Sequence, residues 1–227
     1  MHQRVWNLLR RRAVSSAVTL MLWSVFDELT QSTTSDSALV VEARRTFSTL
    51  TGQVEPDHEL YAERSDAFVE WFLFEQRDEE GLTRVEQRLK LLPCDDIRRP
   101  YLQALRASHR SLFQVVRFLP QGLLLDDLIG GGRFAVEERR RLPGVTSDDV
   151  FEARLIPDPD RKPTLCFGRA LLFHPREAAV AVREQVRLAQ LRAEPRASLL
   201  SRLLRLRLRC FAYRHVSAER IYAQGAA

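Results

Sequence analysis

Between Leu112 and Phe173 the apolar positions stop recurring every three or four residues and begin to alternate, the change of period that separates helices from strands. Five stretches carry the alternation: Leu112 to Phe118, Leu123 to Ile129, Arg133 to Glu138, Val150 to Ile156 and Thr164 to Phe173. Turn residues bound each of them. Phe151, Ala153 and Leu155 alternate with Glu152 and Arg154, which predicts a strand with one face in the core and the other in water. The turn-rich run Pro157 to Pro163 leads straight into the last stretch, so the fourth and fifth strands should form an antiparallel hairpin. Gly130-Gly131-Gly132 joins the second strand to the third. Gly168, inside the fifth, predicts a bulge that helps a short sheet curl.

On either side the period is helical. Val14, Val18, Met21, Val25 and Leu29 form the stripe of a first helix, and Gln31 to Ser35 reads as a polar linker. Asp36 is placed to cap a second helix ending near Gly52, with Leu39, Ala43 and Leu50 inward. Pro56 suits the first turn of a helix to about Gln76, whose last part, Phe68-Val-Glu-Trp-Phe-Leu-Phe-Glu75, is apolar on nearly every side, as expected at the centre of a helical layer. Thr83 and Glu86 have the spacing of a capping box for a helix ending before Pro93. Asp95 or Asp96 would cap the next, with Tyr101, Leu102, Leu105 and Leu112 on one side. Pro175 opens a helix to about Arg192, and a last one runs from about Arg196 to Arg214 along Leu199, Leu203, Leu206, Cys210 and Tyr213. The pattern therefore predicts an α+β protein: a helical region over 1–110, a small five-stranded antiparallel β-barrel or curled sheet over 111–174, and C-terminal helices over 175–227 packing back into one unit with the rest.

Composition adds that the 227 residues, 45% of them hydrophobic, can bury a real core. Arginine supplies 33 of the 35 basic residues, and the net charge of +5 is unevenly spread. Residues 55–96 hold thirteen acids and five bases, whereas residues 161–227 hold fourteen bases and four acids. The simplest consequence is that the two regions face each other within one molecule. Cys94, Cys166 and Cys210 are odd in number and far apart, which fits reduced thiols better than a disulfide framework or a zinc site. Arg4 and Arg10 to Arg12 before the apolar run Ala13 to Phe26 imitate a secretory leader. Asp27-Glu28 follow at once without a small-residue cleavage pattern, so a cytoplasmic protein is expected. The run is also too short to span a bilayer.

Candidate chemistry is sparse. The triple glycine is followed by a strand, not by the helix N-terminus a phosphate loop requires. Glu70 and Glu75 lie in the most apolar helix, where a carboxylate serves as an acid or base only if a second catalytic group joins it; the commoner arrangements are a buried arginine partner or a side chain pointing out at the helix rim. His109, His174 and His215 sit near element ends without metal-site or nucleophile spacing. Arg202, Arg205 and Arg209 share one helical face, Arg207 and Arg214 make a second short row, and no acid occurs between Arg196 and Arg214. Such a face needs an acidic partner, supplied by residues 55–96, by another protein or by phosphate. Arg139, Arg140 and Arg141 would extend the basic surface if the fold brings the two together, and otherwise form a solvated loop.

In outline the chain resembles uncharacterised bacterial proteins, some of which carry a SEC-C zinc motif at one end. The likeness rests on Phe68 to Glu75, Ser111-Leu-Phe-Gln-Val-Val116, Leu124-Leu-Asp-Asp-Leu-Ile-Gly-Gly131 and Asp149-Val-Phe-Glu-Ala-Arg-Leu155, in that order, between about Leu60 and Glu177. It implies a shared fold and brings no activity, cofactor or active-site residue with it. The zinc knuckle itself is not encoded by three scattered cysteines. The leading expectation is a non-enzymatic binding or adaptor protein without a cofactor, acting on an unidentified protein partner and not on a membrane. The alternative is an RNA- or single-stranded-DNA-binding protein that uses the strands and the arginine face, and third comes a hydrolase with an unrecognised site.

Overall fold

A computed structural model describes residues 17–138, 144–161 and 163–225. Eight α-helices and five strands occur among the described residues. Helix α1 (Ala17–Thr34) runs through the expected polar linker, because the hydroxyls of Thr30, Ser32, Thr33 and Thr34 bond back to carbonyls three or four residues earlier and let the helix continue. Helix α2 (Ser37–Thr51) is capped by Asp36, whose carboxylate accepts from Leu39 N at 3.1 Å, and it ends at Gly52 with φ +89°. Helix α3 (Tyr61–Phe74) starts later than its proline suggests. A turn closed by His58, which accepts from Leu60 N and Tyr61 N, occupies the expected first turn. Helix α4 (Arg84–Leu91) carries the full Thr83–Glu86 capping box. Helix α5 (Arg99–Arg106) has no side-chain cap, since Asp96 turns instead to the backbone and guanidinium of Arg98.

Strands β1 (His109–Leu119), β2 (Gly122–Asp127), β3 (Arg133–Glu137), β4 (Val150–Pro157) and β5 (Leu165–Phe173) form a mixed sheet in the order β1-β2-β3-β5-β4, and β4 pairs back with β1 so that the ring of pairings closes. The expected all-antiparallel sheet needs correction: β3 and β5 run parallel, through the single registered pair Val136 and Leu165. The glycine turn between β2 and β3 and the β4–β5 hairpin are present. The glycine bulge is present too, because the register between β4 and β5 shifts between Ala153 and Leu155, opposite Gly168. Phe113, Val115, Leu123, Leu125, Val136, Phe151, Leu155 and Phe167 fill the interior of the ring.

A short 3-10 turn (Arg176–Ala178) follows β5 and leads into α6 (Ala179–Leu191), α7 (Arg196–Ala212) and α8 (Ala218–Gln224). Helix α8, too short to show a period, is absent from the sequence reading, yet it buries Ile221 and Tyr222 against α6 and α7. The outer face of the sheet is shared between helices of both ends of the chain. Ile156 packs with α1, α4 and α5, Leu172 with α2, α3 and α7, and Val150 with α6, α7 and α8. β4 is thus covered on both faces, and the watery face expected for Glu152 and Arg154 does not exist: they are only 2% and 4% exposed. No described helix is long and apolar enough to cross a membrane.

Candidate functional site

The predicted arginines are dispersed among different partners. Arg202 meets Glu194 at 2.7 Å and also the Gln185 side chain. Arg205 donates to the carbonyls of Thr49 and Leu50 at the end of α2, where a cation complements the helix dipole. Arg209 lies over the Tyr213 ring, its Cζ 5.9 Å from the centroid. Two further arginines of this helical segment reach the acidic region: Arg207 to Glu63 at 2.8 Å, buried, and Arg214 to Glu59 at 3.0 Å, exposed. Arg139, Arg140 and Arg141 lie outside the described residues.

A second arrangement went unread in the sequence. Between the outer face of the sheet and α3, Arg110 and Arg154 stand directly opposite each other on β1 and β4, a like-charge pair that only carboxylates can stabilise. Glu75 bridges them, one oxygen to Arg110 at 2.7 Å and the other to Arg154. Glu152 takes the rest of Arg110, and Glu70 lies 3.3 Å from Arg154. Glu70 also accepts the amides of Arg169 and Ala170, which the bulge at Gly168 turns toward it. Burial pushes the Glu152 carboxyl above its usual range against the pull of Arg110. Arg64, which donates to Thr51 and to the Gly52 carbonyl, is lowered to about 10 by burial and by Arg207 nearby. Glu63, Glu70, Glu75 and Glu152 thus face Arg64, Arg110, Arg154 and Arg207 in one layer of four acids and four bases. The visible signal was Glu70 and Glu75 in an apolar helix; the signal missed was charge on a strand covered on both faces.

At one end of the ring interior, Asp127 accepts from the Ser111 hydroxyl, from the amides of Ile129 and Gly130 at 3.0 Å, and from His109, 2.7 Å away. Arg196 Nη1 lies 3.0 Å from His109 Nδ1, which must therefore accept, so Nε2 carries the proton that goes to Asp127. Burial pushes the Asp127 carboxyl up, but the bonds from Ser111, Gly130, His109 and Ile129 outweigh it and hold the group below its usual range. Serine, histidine and aspartate are all here in the wrong order for acyl transfer. The aspartate, not the imidazole, receives the serine proton, and a guanidinium covers the basic nitrogen. The arrangement pins the glycine turn to α7 and β1.

An open cleft of about 430 Å³ lies where the end of α7, the start of α8 and the turn before α3 meet, within the size range of ligand pockets. Pro175, Cys210, Phe211 and Val216 give it apolar walls, Glu177 and His215 are polar, and the Glu59–Arg214 ion pair crosses its rim. Cys210 is no nucleophile, since burial pushes its thiol up to about 11. No group of three or more potential metal ligands occurs among the described residues.

Compared with known proteins, residues 27–190 match a family of unknown function, DUF7986. No curated protein and no solved structure matches the chain.

Proposed function

Because the chain belongs to this family of unknown function, which carries no activity with it, we propose from the geometry that it is a non-enzymatic binding protein, an adaptor that holds a protein partner at the α7–α8 cleft. The carrying observation is that cleft: apolar walls on Phe211 and Val216 stand beside charges at the rim, the composition of an interface core with a polar border. The two polar centres described above support the same reading, because their ionisable groups bond chiefly to one another. The ring of strands, closed like a small barrel, serves as the rigid platform. Against the SEC-C-bearing proteins the chain resembles, its scattered cysteines offer no zinc knuckle, which leaves recruitment to the folded body.

Two matched baits test this in cells: the intact protein and Phe211→Glu/Arg214→Glu, with equal melting temperatures as a control. A partner crosslinked at residues of the cleft and lost with the variant is the expected result. A partner retained by the variant overturns the assignment. Absorbance at 260 nm that co-purifies with both baits, with affinity falling steeply in salt, establishes the nucleic-acid alternative instead.

A further inference from the structure

Behind the cleft, three polar atoms lie buried without a hydrogen-bond partner among the described residues: Glu152 Oε2, His174 Nε2 and Arg207 Nη1. They come from separate elements, and strand register and helix packing set them on the same side of the sheet. Glu152 faces Leu172 across the β4–β5 seam, and the amide of His174, two residues further along the same face, donates to Val150 at 2.9 Å. Glu152 and His174 are therefore diagonal neighbours on the outer face of the sheet. Helix α7 lies over that face. Its Leu203 shares one core cluster with Leu112, the cross-strand partner of Glu152, and its Leu204 shares another with Leu172. Arg207, four residues after the first and three after the second, continues the same helical face.

We infer that Glu152, His174 and Arg207 together bind one ordered water molecule between the sheet and α7, a site that ties the C-terminal helices to the charge layer. The hydrogen-bond inventory fits. Tyr222 Oη lies 2.7 Å from His174 Nδ1, and with the phenol donating there, His174 Nε2 carries a proton to give. Arg207 Nη1 is also a donor, and Glu152 Oε2 is an acceptor. A single water accepts the first two bonds and donates the third, the usual number for a buried water. An ion does not fit. Arg207 and Arg64 face Glu63 and Glu152 in a neighbourhood that is already balanced, so a cation would meet two guanidiniums and an anion the Glu152 carboxylate. A neutral molecule that both donates and accepts is the remaining class, and Tyr222, bonded to His174, is not measurably exposed.

Diffraction from crystals of the full chain, at a resolution that orders internal waters, tests the inference directly. One density peak about 2.6–3.2 Å from all three atoms is expected. Direct bonding among the three side chains with no peak between them overturns it, as does an anomalous peak at that position after a bromide soak, which would mark an anion site. In solution, water-proton relaxation dispersion counts long-lived internal waters. His174→Phe should lower that count by one, and an unchanged count in the folded variant sinks the proposal. If that variant does not fold, diffraction from the unaltered protein still decides.

Discussion

Gly168 shows how one missing side chain positions a buried charge. A Cβ there would collide with Glu70 Oε1, which would have to shift, and would sit 3.1 Å from the Arg154 Cβ, which would have to give by a few tenths of an ångström. Gly168→Ala should therefore lower stability by about 1–3 kcal/mol in urea unfolding. A neutral result would mean that the bulge relaxes without disturbing Glu70. His174 offers a test by pH. Burial, with Arg207 adding to it, lowers its folded pKa from 6.5 to about 3, so between those values the unfolded chain holds one more proton than the folded one at this residue. Its contribution is complete above pH 6.5 and is lost as the pH falls, at up to about 1.4 kcal/mol per pH unit. Between pH 6 and 5 the intact protein should lose stability more steeply than His174→Gln. Parallel curves would show that the imidazole is not buried neutral.

Among the elements, what could be read in advance was local. The caps at Asp36 and Thr83, the turn at residues 130–132, the hairpin after Pro157 and the bulge at Gly168 each depend on neighbours a few residues away, and such residues announce themselves by type. The destination of β4 was not local. Glu152 and Arg154 carry the alternation of a solvated face, and what keeps them dry is α3 with its Glu70 and the Glu75 that follows it, 84 and 79 residues from Arg154 in sequence. Single-strand periodicity cannot report a partner at that separation. The cleft was hidden for the same reason, because its walls come from three separate segments and one of them, α8, is too short to show a period. Arg154→Met tests the layer between α3 and the sheet. It strands two carboxylates near a remaining guanidinium, and a loss of about 3–5 kcal/mol is expected. Adding Glu75→Gln should recover part of that loss in a double-mutant cycle, and strict additivity would dissolve the idea of a coupled layer.

For the molecule as a whole, the uneven charge of the sequence is settled partly within the fold and partly at its surface. Arg207 and Glu63 form a pair with side chains 8% and 19% exposed, whereas Arg214 and Glu59 are 77% and 52% exposed. The first should matter and the second should not: Arg207→Met is expected to cost about 3 kcal/mol and Arg214→Ala no more than about 1 kcal/mol. Comparable losses would make the basic helix a plain electrostatic clamp on the acidic region. The ring of strands has its own asymmetry. Four of its seams are antiparallel ladders, while the fifth, between β3 and β5, rests on Val136 and Leu165. A closed ring should open first at its thinnest seam. Deuterium should reach the amides of β3 beside Leu165 well before those of β4, and equal protection of the two strands would show that a single registered pair closes the ring as firmly as a full ladder.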